Sequence, residues 1–320
     1  MPLMDVDLVG CGLFFNDLTF TGLQGAPKLG HELRVGPYRQ TPGGIANSCI
    51  AAARLGISVA MIADTGDDQM SVGALSYLNH EGIDTCHCLV HEGWQTPLTV
   101  ILNYDGDRTM VTSETRHPGP CVLRAESAPR ARVGIAHLQP FTMPWLAEAA
   151  AHGTLIVGDT GYDESERWDL ADLPDLDKCH SFTPNLLEAT SYTHTASGED
   201  AVRALASSVT LPVVTMGGDG VLAMDPATGE LVHVAAIKGP LVNACGAGDV
   251  FNAAFAASLL TDWPLADKLR FASLAASLTV GQAGGATMAP TLDELKAWAH
   301  HAPRKLAASF SFLAELDSLV

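Results

Sequence analysis

The sequence predicts an α/β protein: a three-layer αβα body built on a doubly wound, mostly parallel sheet, with a small β-strand lid. Three observations carry that reading. From about residue 131 onward, strand-length apolar runs alternate with helix-length runs, the rhythm of strands that pair in parallel and are joined by helices on both faces. Early strands such as "DLVGCGL" (7–13) and "SVAMIAD" (58–64) read as buried. Two strand-rich excursions, about 14–42 and 97–116, break the rhythm with turn formers, and these are read as the lid of a single 1–320 domain.

Element by element, "DLVGCGL" is the opening strand, and the alternation in "HELRVGPYRQ" (31–40) predicts an exposed strand pair. "GGIANSCIAAARLG" (43–56) predicts a helix with an Ala-rich face, stopped by Gly56. A strand at 58–64 and a helix at 70–82 follow, then two strands around an Asp-Gly turn in "PLTVILNYDGDRTMV" (97–111). "RVGIAHLQ", "TLIVGDT" and "SFTPN" are strands; "MPWLAEAAAHG", "LLEATSYT" and "EDAVRALASSV" are helices. "LPVVTMGGDGVLAM" is two strands around a glycine turn, "ELVHVAAI" another strand, and helices begin near 249, 265 and 291. The acidic stretch 160–178 reads as loop with one short helix.

A chain of 320 residues, 47% of them hydrophobic, can bury a large core. Its net charge of −18 excludes nucleic acid and anionic membrane surfaces as partners, so any bound phosphate must be held locally, by backbone N–H groups, a metal or a few placed cations. Seven cysteines, an odd and scattered set, read as reduced thiols in the cytoplasm; Cys86 and Cys88 stand too close for a zinc pair, and the twelve histidines show no ligand spacing. The N-terminus lacks a basic n-region and reads as a strand, and no apolar segment has membrane-spanning length.

No P-loop, G-x-G-x-x-G, H-E-x-x-H or G-x-S-x-G pattern occurs. Four segments remain, each with a structural and a functional reading. Gly43-Gly44 with Asn47 is a helix start or a ligand-binding turn. Asn185 and Glu188 lie one helical turn apart, as a helix start or as polar ligands on one face. Thr215, Gly217, Gly218 and Gly220 form a hairpin turn or a nucleotide-binding turn. Gly246-Ala247-Gly248-Asp249 leads into a long apolar helix. An acid in the first turn stabilises a helix, and small residues at a helix N-terminus also let a phosphate reach unpaired N–H groups.

Taken together and in order, these segments resemble the ribokinase-like, or PfkB, carbohydrate kinase family. "GGIANSCIAAARLG" is similar to its N-terminal signature, "NACGAGDVFNAAF" to its C-terminal signature, "NLLE" to its Asn-x-x-Glu motif and "VTMGGDG" to its nucleotide-binding strand and turn. "ADTGDDQMSVGALSYLNHEGIDT" follows the family's run after the second strand, so the resemblance spans about residues 7–300.

The resemblance implies an ATP-dependent phosphotransferase acting on a sugar hydroxymethyl. Asp249 would be the general base and the N–H groups of Gly246, Ala247 and Gly248 the anion hole. Asp17, Gly43, Gly44 and Asn47 would grip substrate hydroxyls. Asn185, Thr215, Gly217, Gly218, Gly220 and Ser273 would bind ATP, and Glu188 would hold Mg²⁺ through water. Asn243 and Ala244 replace the family's common Asp-Thr, so the loss of a charge beside a monovalent-cation site predicts little response to K⁺. "GLFFNDL" is longer and more aromatic than a typical ribokinase start and points away from ribose.

Arg108 reads as a solvated turn residue more than as a substrate contact. Arg167-Trp168 resembles a segment of sugar-acid and fructose kinases at imperfect spacing. Phe14, Phe15 and Phe20 read as core, with a pocket wall as the alternative. A nucleoside kinase of the same family, with Phe14, Phe15 and Trp94 as a base slot, is the rival function; a catalytically silent sugar or nucleotide sensor is a rival of another class. The lid strands of this family often pair across a dimer, which predicts a homodimer.

Overall fold

Val6–Cys11 forms the central strand β1, whose successive residues serve opposite faces: Leu8 packs into one apolar cluster and Val9 into the other. The computed structural model describes residues 4–320 apart from 106, 120, 123–127, 164, 314, 315 and 317. From β1 the chain makes an excursion through β2 (Phe14–Phe20) and β3 (Arg39–Gly44), then helix α1 (Ile45–Arg54). It returns to the sheet as β4 (Val59–Ile62) and continues through β5 (Asp64–Gly66), α2 (Gln69–His80), β6 (Ile83–Asp84) and β7 (Leu89–His91). A second excursion, β8 (Leu98–Tyr104) and β9 (Asp107–Ser113), precedes β10 (Ala131–His137).

The regular half follows: α3 (Pro144–Ala151), β11 (Leu155–Asp159), β12 (Ser181–Phe182), α4 (Leu186–Thr193), α5 (Gly198–Leu205), β13 (Leu211–Thr215), β14 (Val221–Met224) and β15 (Leu231–Val234). Helices α6 (Ala247–Ser258), α7 (Leu265–Val280), α8 (Leu292–His301) and α9 (Arg304–Ala307) close the chain.

These strands build a nine-stranded sheet in the order β15-β14-β13-β12-β11-β10-β1-β4-β6. It is parallel from β6 to β13 and antiparallel beyond, as the alternation of strands and helices predicts. One face is covered by α1, α6 and α7, the other by α3, α4 and α5. Alanines on α1 and α6, among them Ala51, Ala52, Ala253 and Ala256, let these two buried helices pack side by side.

The chain leaves β1 toward β4 and β6, then reappears on the other side of β1 as β10. That reversal opens a crevice at the carboxyl ends of β1, β10 and β11, the place where such sheets bind ligands. The two excursions, read from the sequence as a lid, build a separate sheet, β3-β2-β8-β9, in which β2 and β8 are parallel and the outer pairs antiparallel. A two-stranded sheet, β5-β7, lies beside it in the chain.

Two local expectations are corrected. "HELRVGPYRQ" is not a strand pair: residues 31–38 are irregular and exposed, and only Arg39 and Gln40 enter β3. Gly36, Pro37 and the lack of a pairing partner defeat the alternation there. The acidic stretch 160–178 holds two short 3₁₀ turns, Leu170–Asp172 and Leu176–Lys178. The glycine of the Asp105-Gly106 turn lies outside the described residues.

Candidate active site

Asp249 is in the first turn of α6, whose N-cap, Gly246, has φ +77°. A side chain at that left-handed residue would be strained, and its Cβ would stand 3.1 Å from the Ala286 backbone. Asn47, on α1, donates from Nδ2 to Asp249 Oδ2 at 3.0 Å, and the Ser48 hydroxyl donates to the Asp249 carbonyl at 3.2 Å. The "GGIANS" and "GAGD" segments therefore meet through side chains 202 positions apart.

Burial pushes the Asp249 carboxyl up to about 6, against the Asn47 hydrogen bond and the charge of Arg108, which lower it. Asp17, on β2, is pushed up to about 7 by burial and then by the Asp249 charge. Its carboxylate lies on the backbone of Gly43, where a Cβ would come within 2.3 Å of it. Gly43 and Gly44 thus make room for Asp17 and for the turn after Leu13, and neither lines the hollow described next.

A polar hollow of about 240 Å³ is lined by Asp17, Thr19, Thr41, Asn47, Asn243, Cys245 and Gly246, closed by Gly284, Gly285 and Ala286. On the other side of the α6 N-terminus lies an apolar cleft of about 1430 Å³. Thr215, Gly217, Gly218, Gly220, Ala247, Gly248, Phe251 and Ser273 are among its walls, so five sequence-named nucleotide residues and two of the anion-hole residues share it. Asn185 is absent from those walls. It caps α4, accepting from the Glu188 N–H at 3.0 Å while Glu188 Oε2 accepts from the Asn185 N–H at 2.9 Å. The Ala247 N–H turns back to the Ala244 carbonyl at 3.3 Å.

Three residues unnamed from sequence complete the floor. Ligand atoms of His137 (end of β10), Asp159 (end of β11) and Asp249 lie within 4.8 Å of one another. Burial, then the charges of Glu188 and Asp249, hold the Asp159 carboxyl well above its usual range, and burial lowers the His137 imidazole to about 4. Asn252, one helical turn past Asp249, hydrogen-bonds Asp159, while its Oδ1 is buried without a partner. Asp159 ends an apolar strand at the switch-point side of the sheet, a placement that could have drawn attention to it in the sequence.

Other expectations are redrawn. Arg108 is exposed, as the solvated reading has it, and it also lines a cleft of about 760 Å³ with Tyr104 and Asn243, from which its charge reaches Asp249. Phe14 belongs to the core, and Trp94 packs edge-on to His91 and His117, so neither forms a base slot. Arg167 pairs with Asp172 at 2.6 Å on the surface, and Trp168 packs on Tyr162 and Tyr192. Buried Asn243 accepts from the Cys245 N–H at 3.0 Å, a neutral bond at the position of the family's acid. All seven cysteines are free. Among the described residues no helix is long and apolar enough to cross a membrane.

Asp249 thus stands at the helix end that separates a polar hollow from a glycine-walled cleft, and comparison with known proteins bears on what the chain does. The sequence matches the family described as "pfkB family carbohydrate kinase" over residues 15–117 and 136–292. The chain belongs to the pfkB family of carbohydrate kinases. It is a kinase, a transferase of phosphoryl groups. Pseudouridine kinase of Escherichia coli is 27% identical over 261 residues, covering 77% of this chain and 82% of that protein. Ribokinase of Haemophilus influenzae is 26% identical over 271 residues, covering 80% and 86%. Among solved structures, a putative ribokinase from Agrobacterium tumefaciens superposes with TM-score 0.80 at 20% identity, covering 97% of this chain and 99% of that one. Arabidopsis thaliana ribokinase, complexed with ribose and ATP, superposes with TM-score 0.73 at 20% identity, covering 91% and 98%.

Proposed function

We propose that this kinase transfers the γ-phosphoryl group of ATP to the hydroxymethyl group of a small sugar or sugar derivative. The observation that carries this reading is the position of the α6 N-terminus: Gly246 faces the polar hollow while Ala247 and Gly248 face the apolar cleft. The acceptor then lies in the hollow, among Asp17, Thr19, Thr41 and Asn47, groups that hydrogen-bond hydroxyls and disfavour a substrate lacking them. The adenine and ribose of ATP lie along Ser273, Phe251 and the Gly217–Gly220 turn.

Asp249 accepts the proton of the substrate hydroxyl as its oxygen attacks the γ-phosphorus, with Asn47 holding the carboxylate oriented and ionised. N–H groups of the Gly246–Gly248 turn and the positive end of α6 stabilise the charge that develops on the transferred group. Asp159, which feels the charge of Glu188 and is hydrogen-bonded by Asn252, would offer Mg²⁺ a carboxylate oxygen, with Glu188 reaching the ion through water. Bound there, Mg²⁺ would neutralise phosphate charge and align the phosphates. Asn185 then acts by fixing Glu188 through the cap, not as a ligand of its own.

A nucleoside is the second reading. The cleft lined by Thr21, Asn103, Tyr104 and Arg108 adjoins the hollow at Asn243, which is room for a base attached to a sugar. We also propose that a second copy pairs on the lid: β9 is its edge strand, with Met110 and Val111 exposed. The test of function is ADP release with Mg-ATP across hexoses, pentoses, sugar acids and nucleosides, with Asp249→Asn as the blank. Turnover on a free sugar supports the first reading. Turnover on nucleosides alone replaces it with the second, and silence across the panel with ATP bound removes both.

A further inference from the structure

A second group of potential ligands lies away from the catalytic cleft, at the junction of the body and the lid. Asp64 opens β5, just past the carboxyl end of β4, and His91 ends β7 beside it. His117 and Cys121 lie in the chain that returns from lid strand β9 toward β10. Asp64 Oδ1 is 2.7 Å from His91 Nε2 and 3.4 Å from His117 Nε2, and the Cys121 thiol donates to Asp64 Oδ2 at 3.0 Å. The ligand atoms of Asp64, His91 and His117 all lie within 4.8 Å of one another.

The surroundings are those of a built site. Asp64 is buried, and the Val122 N–H donates to both its oxygens, at 3.0 and 2.9 Å, fixing the carboxylate plane. Trp94, itself buried, closes over the two imidazoles edge-on, with ring centroids 5.6 and 5.0 Å away. His117 Nε2 is buried without a hydrogen-bond partner, although it points at a carboxylate. An imidazole nitrogen left without a hydrogen-bond partner beside a carboxylate is placed to accept a metal bond.

We propose that Asp64, His91, His117 and Cys121 bind one Zn²⁺ ion that ties the chain leaving the lid to the carboxyl end of β4. Two imidazole nitrogens, a thiolate and a carboxylate suit Zn²⁺ and disfavour Mg²⁺ or Ca²⁺, which take oxygen. Tetrahedral zinc, with bonds of about 2.0–2.3 Å, sets neighbouring ligand atoms about 3.3–3.6 Å apart. The His117–Asp64 separation already fits, the ion takes the place of the His91–Asp64 hydrogen bond, and the Cys121 Sγ, which lies outside the 4.8 Å group, turns from Asp64 Oδ2 toward the imidazoles to close the fourth position. Binding releases the Cys121 thiol proton to solvent and leaves both imidazoles neutral. The four residues are scattered over 58 positions, which is why no ligand spacing shows in the sequence.

The test uses the full chain, stripped with chelator and titrated with Co²⁺ in excess Mg²⁺, then with Zn²⁺. One equivalent of Co²⁺ should give the visible bands of a tetrahedral site and a thiolate charge-transfer band, both displaced by Zn²⁺. Cys121→Ser, a conservative change that spares the fold, should remove the charge-transfer band; Cys86→Ser, at an exposed thiol, should leave it. His91→Gln or His117→Gln should weaken binding by at least about tenfold. Zn²⁺ should raise Tm in the unaltered chain and not in Cys121→Ser. Absence of stoichiometric Co²⁺ or Zn²⁺ binding by the unaltered chain, or a charge-transfer band that survives Cys121→Ser, overturns the proposal and leaves a hydrogen-bonded hub around Asp64.

Discussion

The two sides of the α6 N-terminus are built from different material. On the hollow side the walls are side chains that titrate or hydrogen-bond, brought from the lid and α1: Asp17, Thr19, Thr41 and Asn47. On the cleft side they are largely backbone and small or apolar side chains, Gly217, Gly218, Gly220, Ala244, Ala247, Gly248 and Phe251. The difference teaches how one site can be selective at one end and general at the other. Side-chain hydrogen bonds discriminate among acceptors, whereas N–H groups at a helix end bind any phosphate of the right shape.

The comparison breaks at its hinge first. Asp249→Asn should lower kcat by about 10²–10⁴-fold with Tm maintained, measured by ADP release and thermal unfolding. On the hollow side, Asn47→Ala removes the bond that lowers the Asp249 pKa, and should reduce kcat/KM by about 10- to 100-fold, the worth of a hydrogen bond to a charged group. It should also move the acid limb of the pH–rate profile upward from about pH 6, because the base works only when ionised. An unmoved limb would detach Asn47 from the base.

Asp17 offers a stability test of the same side. Its folded pKa, about 7, is raised above the unfolded value, so ionising it in the fold costs stability that is fully lost above pH 7 and recovered as pH falls toward 4. Asp17→Asn should therefore raise Tm at pH 8, by an amount equivalent to a few kcal/mol at most, with the gain fading near pH 4. The cleft side should answer to backbone geometry. Gly246→Ala, at φ +77°, should cost about 1–2 kcal/mol and weaken turnover, while Gly248→Ala, whose Cβ meets nothing within 4 Å, should leave Tm unchanged and raise KM for ATP. The smallest effect expected is exchange of Na⁺ for K⁺, since Asn243 supplies no charge and its Oδ1 is engaged by the Cys245 N–H.

Much of this was legible from residue order. The alternation of apolar and helical runs gives the parallel sheet, and the start of α7, predicted near 265, matches Leu265. Asp249, Asn47 and the glycines of the 217–220 turn announce themselves because each sits in a short local pattern. Local pattern also misled. "HELRVGPYRQ" alternates, but residues 31–38 have no partner strand, and the Asn-x-x-Glu spacing that suggested a nucleotide ligand is also that of the capping box in which Asn185 accepts from the Glu188 N–H. Arg108 is solvated as read, but its influence on Asp249, 141 residues away, could not be seen in the sequence, which shows no charge across a cleft.

The sequence by itself determined the αβα layering, the two strand-rich excursions and the family, because periodicity and short motifs depend on neighbours within a few residues. Only the tertiary structure decided that Asp159 and His137 lie beside Asp249 with Asn252 bonded to Asp159, that the Asp249 charge raises the cost of ionising Asp17, and that Asp64, His91 and His117 converge with Cys121 bonded to Asp64. The physical reason is common to all of these. Burial and charge act through space, over a few ångströms, and the crossovers of a doubly wound sheet bring strand ends together that the chain holds tens to hundreds of residues apart.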